Sequence, residues 1–337
     1  APREKLGLYL SLGGACITLG PAFGPVISGL MCTLFGWRAV FVVPLVGGVV
    51  VAAAAAKLVR NVGERSNTTL DILSVVLLAA GITAFVYSVG EFSTNVMAGI
   101  VTLFAAVVVL GLFAVRQLKL EHPVLNVRPM VSVRFWPACL LVVVSMMTTF
   151  SMSVLLPLYF EGAYGMTALV AGLLILPAIA CNAVTSIVGG RVMDARGAWP
   201  LLPVGFALIA VGQTAISMTA ASMNIGVVVL LTVVVYAGVG LVLSPSQTAG
   251  LETLPAAEHP HGTALLNTWN MIAASFGPSL FIGLLSSSAV AAGAAGVASD
   301  VAQAIGFAAA VRVAAVIAVV GFAVSLVYAR RESHMSH

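Results

Sequence analysis

The residues of this chain able to do chemistry are few and widely spaced. Asn182, Gln213, Gln247, Asn267 and Asn270 are carboxamides set in long apolar runs. A carboxamide in such surroundings needs a hydrogen-bond partner, either on another helix or in a wet cavity. Asn267 and Asn270 stand about one helical turn apart, with Trp269 between them in sequence. Met146, Met147, Phe150 and Met152 form a soft cluster of the kind that repacks around varied apolar ligands. Together these residue types point to recognition of an amphipathic small molecule. The candidate cavity residues are Asn267, Trp269, Asn270, Gln247, Asn182, Met146 and Phe150, with plain helix packing as the competing reading for each.

Bond-breaking chemistry has no comparable set. There is no His-Glu-x-x-His, no Ser or Cys nucleophile with a spaced histidine, and no pair of acids in the middle of a run. His259 and His261 flank a proline with no third ligand nearby, and Cys16, Cys32, Cys139 and Cys181 match no metal or redox spacing. No catalytic residue, metal ligand or cofactor is therefore expected, and an enzyme is disfavoured. The carboxylates Asp71, Glu91 and Glu161 all sit at the ends of apolar runs, where snorkelling to the interface is the ordinary role.

The elements that must position these residues follow from composition. Of 337 residues, 61% are hydrophobic and 8% charged, with a mean hydropathy of +1.12. A soluble domain carries roughly 25% charged residues, so the solvent for this surface must be lipid. Ten stretches are long and apolar enough to cross a bilayer: 8–31, 38–58, 70–90, 95–117, 134–158, 167–190, 199–220, 225–248, 263–288 and 305–329. They are apolar all round and rich in Ala, Leu and Val, which makes them helices rather than barrel strands. The expected class is an all-α polytopic membrane protein. With residue 1 in the cytoplasm, all fifteen basic residues except Arg38 and Arg312 fall on the inner side or at its span ends. The positive-inside rule then places both termini inside, and Glu161 at the outer mouth of a bundle. The net charge of +4 reads as a topology signal, since its residues are scattered over short loops and form no nucleic-acid patch.

Two longer polar loops, 57–71 and 116–134, bracket two spans with few polar residues. This divides the chain into 1–60 (two helices), 61–133 (a two-helix insert with its loops) and 134–337 (six helices). Phe23-Gly24-Pro25 and Phe276-Gly277-Pro278 lie in mid-span of the first and ninth spans, as in transporters built from repeats. In the first span Gly20, Gly24 and Ser28 recur every four residues, beside Pro21 and Pro25. That reads as a bent helix with a flat face for close contact.

The stretch GACITLGPAFGPVISG resembles the antiporter motif of the fifth helix in major-facilitator drug:proton antiporters, with Gly14, Gly20, Pro21, Gly24, Pro25 and Gly29 matching and Ser28 where Gly is commoner. GWRAVF (36–41), LDILSVVLLAAG (70–81), HPVLNVR (122–128), LPLYFEGAYGMTALVAGLLILP (156–177) and HGTALLNTWN (261–270) also resemble the fourteen-span EmrB/QacA-type branch, the last being similar to its LmrB-like members. GGRVMDARGAWPLL (189–202) resembles the family's cytoplasmic loop latch, with Asp194 and Arg196 at its acidic and basic positions and Ala195 where Arg is usual. The resemblance implies a major-facilitator fold with ten of fourteen spans present, the first four preceding residue 1. It implies export of drug-like amphipathic or cationic compounds in exchange for protons, powered by the proton gradient, in the cell membrane. The expected partners are the bilayer, such substrates, protons, and the missing N-terminal spans or another copy. A non-transporting remnant of such a transporter is the alternative.

Overall fold

A computed structural model of the chain describes residues 24, 26–58, 71–91, 95–120, 123–199, 201–255 and 258–333. Its helices are α1 (Val26–Phe35), α2 (Val42–Leu58), α3 (Ile72–Glu91), α4 (Val96–Lys119), α5 (Phe135–Tyr164), α6 (Ala168–Arg196), α7 (Leu201–Thr219), α8 (Ile225–Glu252), α9 (His259–Ala294) and α10 (Ser299–Ser333). Among the described residues nine helices are long and apolar enough to cross a membrane. They correspond to the second to tenth expected spans. The first expected span lies mostly outside the described residues, which retain its end as α1.

Several helices overrun the apolar windows of the sequence. Hydropathy detects the stretch in contact with lipid, whereas a helix continues until its backbone is capped. α5 runs on to Gly165, whose left-handed φ of 64° lets its N–H close on the carbonyls of Phe160 and Glu161. α9 starts at His259, with a proline in its first turn where no donor is missed. At their N-termini α4, α6 and α8 are capped by Asn95, Thr167 and Asn224, whose side-chain oxygens accept from the amides of Ala98, Val170 and Val227.

The core lies in the six helices α5 to α10. α5 packs against α8, α9 and α10; α8 also packs against α6 and α7, and α10 against α7 and α9. Buried Leu141, Leu155, Leu156, Phe206, Ile209, Val239, Phe281 and Phe307 fill the interior. In lipid this association is driven by close packing rather than by water expulsion. Accordingly Gly240 on α8 meets the backbone of Asn182 and Ser186 on α6, and the Ser186 hydroxyl donates to the Gly240 carbonyl at 3.3 Å. Near the C-terminal end of α5, Tyr159 stacks on Phe307 at 4.3 Å and donates to the Ala220 carbonyl at 2.8 Å, joining α5, α10 and the turn after α7. The α3–α4 hairpin leans on α9 through α3. No residue of α2 is buried.

Candidate functional site: a transport seam and its open face

The seam is built from the end of α1 and the start of α6. Gly29 is buried, and a Cβ placed on it would stand 2.6 Å from the Ala168 carbonyl oxygen and 2.9 Å from the Leu169 Cα. Two backbones meet there with no room for a side chain. A Cβ placed on Gly24, by contrast, would meet no described atom within 4 Å. The close contact thus falls on the Gly29 side of the helix. Gly24, five residues back, is turned about 140° away around the helix, so this contact is distinct from the Gly20, Gly24 and Ser28 stripe. Gly14, Gly20, Pro21 and Pro25 of the same motif lie outside the described residues.

α5, α8 and α6 each carry half-buried candidate residues. On α5, Met146, Thr149, Phe150 and Ser153 recur at three- and four-residue spacing and share one side. On α8, Gln247 is half-buried, as is Asn182 on α6. Tyr236 of α8 donates to the Thr149 carbonyl of α5 at 3.3 Å and holds the two helices in register. Apolar, thioether and carboxamide groups are thus all half-buried, residue types that suit a ligand that is mostly apolar with a polar end.

The Asn267, Trp269 and Asn270 group does not act as one surface. Asn267 is exposed, while Asn270 is 7% exposed and its Oδ1 has no hydrogen-bond partner. Trp269 donates its indole N–H to the Met130 sulfur at 3.4 Å, in the loop before α5. Ser151, Gln213 and Ser246 are likewise buried with side-chain polar atoms unsatisfied. Such groups in a tightly packed bundle are costly unless another state or a bound molecule satisfies them. Glu161 is exposed in the last turn of α5. Asp194 and Arg196 fall in the last turn of α6 before Gly197, and their side chains lie outside what is described.

One polar site was not legible in the sequence. Asp71, immediately before α3, accepts from Arg116 of α4 through two bonds, Nε at 2.7 Å and Nη2 at 3.0 Å. The Ser74 hydroxyl donates to the same carboxylate at 2.5 Å, Gln117 donates to Ser74 at 2.6 Å, and the Leu125 amide donates to Gln117 at 3.0 Å. The Arg116 hydrogen bonds, helped by Ser74, hold the Asp71 carboxyl down at about 2. Asp71 is therefore held ionised at physiological pH while it is paired with Arg116. Aspartate and arginine 45 residues apart give no local signal, and only the hairpin brings them together.

Membrane-length helices and a seam where two helix backbones touch define a multi-pass membrane protein. A family model described as Major Facilitator Superfamily matches residues 1–278, and the chain belongs to that superfamily. It is 33% identical over 327 residues to the uncharacterized MFS-type transporter YcnB of Bacillus subtilis, covering 96% of this chain and 69% of that protein. It is 30% identical over 288 residues to the lincomycin resistance protein LmrB of Listeria monocytogenes, covering 85% and 61%. A multidrug resistance protein B homolog of Mycobacterium tuberculosis is 26% identical over 292 residues, covering 85% and 54%. The chain thus spans between 54% and 69% of the length of these relatives. Their names are consistent with the drug:proton antiporter branch.

Proposed function

We propose that this protein exports amphipathic or cationic drug-like compounds, in exchange for protons, across the cell membrane with both termini in the cytoplasm. The observation that carries the reading is the backbone contact between Gly29 and Ala168. In this topology the end of α1 and the start of α6 both lie at the outer surface, so the contact seals that side. Opening it, and closing the cytoplasmic side in turn, would expose the candidate residues of α5, α6 and α8 alternately to the two compartments. The drug-resistance names of two relatives support drugs as the substrate class. The mixture of Met146, Phe150, Gln247 and Asn182 supports a broad rather than a single-ligand site. The pairing of Asp71 with Arg116, which favours its charged form, argues against Asp71 as the carrier of the coupling proton.

The test is expression in a bacterium stripped of its own efflux pumps. The expected result is raised resistance to lincomycin or to lipophilic cations, with reduced accumulation that a protonophore restores. Unchanged accumulation of every compound in a broad drug panel, at verified membrane abundance, refutes the drug reading.

A further inference from the structure

The two-helix insert is gripped to one face of α9. Phe85 of α3 stacks on Phe276 of α9 with ring centroids 5.1 Å apart and planes 23° apart. Trp269, on the same helix, is bonded to Met130 in the loop that follows the insert. Phe276 and Trp269 are seven residues apart, about two turns and about 10 Å, so they present on one side. The residues that follow each of them face the bundle: Asn270 is buried, and Gly277 lies against Ser151 and Met147 of α5, where a Cβ would be 2.8 Å from the serine hydroxyl. α9 is therefore held between α5 on one side and the insert on the other. Its own backbone is weak at that level, since Pro278 removes the hydrogen bond to the Ala274 carbonyl. The insert is internally stiff, with the Asp71–Arg116 pair and the Ser74–Gln117–Leu125 chain tying both helices to the following loop. Among the described residues, α2 makes no comparable contact with it.

We infer that Phe85 and Met130 form a two-point clamp on α9, and that the insert moves as one rigid body with the six-helix bundle. Phe85 is a positioning residue: it touches no substrate and acts by fixing the Gly277-Pro278 segment against α5. The docking stands on these contacts whether or not the protein exports drugs. Only its role in cycling rests on the proposed function.

The test measures spin-label distances on the purified protein in nanodiscs, with Cys16, Cys32, Cys139 and Cys181 replaced by Ser. One pair joins the insert to the bundle (Val107→Cys on α4, Val319→Cys on α10); a second joins the insert to α2 (Val107→Cys, Val49→Cys). The expected result is a single narrow insert-to-bundle distance that does not change with pH or with an added substrate. Phe85→Ala should lose that single peak, Phe276→Ala should do the same, the double variant should be no broader, and Phe85→Tyr should restore it. An insert-to-bundle distance that shifts between conditions while the insert-to-α2 distance stays fixed overturns the inference. So does a Phe85→Ala protein that keeps the narrow peak. A drug panel without efflux would leave these distances as predicted, so the two failures are separable.

Discussion

The seam at Gly29 makes the sharpest prediction. Gly29→Ala adds one methyl whose carbon would stand 2.6 Å from the Ala168 carbonyl oxygen, against the 3.4 Å at which ordinary contact begins, so α1 must retreat by about 0.8 Å. The obstruction is backbone, which cannot rotate away as a side chain tip would. Overpacking of this kind costs about 1 to 3 kcal/mol. If the contact exists only when the outer side is closed, the whole cost falls on that state. It then shifts the balance of states by about 5- to 150-fold towards open. Gly111→Ala, on the exposed side of α4, meets no described atom within 4 Å and serves as the control. The assay is labelling of a Val170→Cys protein, on the exposed side of α6 near the seam, by a membrane-impermeant maleimide, alongside drug efflux and membrane abundance. Gly29→Ala should label faster and lose most efflux at normal abundance, while Gly111→Ala matches the parent. Parental labelling and efflux in Gly29→Ala would refute the claim that this contact is the outer seal.

Further outcomes follow from the same structure. Asp71→Asn should lower the thermal midpoint of the purified protein near pH 7 by loosening the hairpin. Because the folded carboxyl is held at about 2, below its ordinary 3.8, the pair's stabilisation is fully present above about pH 4 and is lost as pH falls towards 2. The parent and the variant should therefore converge there, and the pH profile of efflux should keep its shape. Asn270→Leu should leave stability unchanged or raised, since its Oδ1 is unsatisfied, while altering the relative resistance to different drugs; a uniform loss that tracks protein level would instead mean packing. Reporter fusions after residues 65, 122 and 195 should read cytoplasmic and those near 93, 163 and 222 external, and an external reading at 122 would break the topology.

The helices were legible because lipid imposes a simple rule, that every crossing segment be long, apolar and internally hydrogen-bonded. Ends were less legible, as α5 shows: nothing in hydropathy marks Gly165, but the left-handed cap does. The antiporter motif falls on the helix whose end, at Gly29, meets the start of α6. Which face of that helix meets α6 was not legible, since small residues lie on several sides and only the neighbour selects one. The candidate cavity residues separated for a related reason. Asn267, Trp269 and Asn270 are close in sequence, yet their directions differ by the helical turn, and each found a different environment. The Asp71–Arg116 pair and the Phe85–Phe276 stack join segments far apart in the chain, and periodicity within one segment carries no information about them.

The central claim, that drug movement is exchanged for protons, is tested most directly in proteoliposomes containing the purified protein and a pH-sensitive dye. With the lumen made acidic and the outside alkaline, the account predicts that adding a transported drug outside releases lumenal protons while the drug accumulates inside, and that Gly29→Ala abolishes both. Drug accumulation of equal rate with and without the pH gradient, or proton release with no dependence on drug, would contradict it.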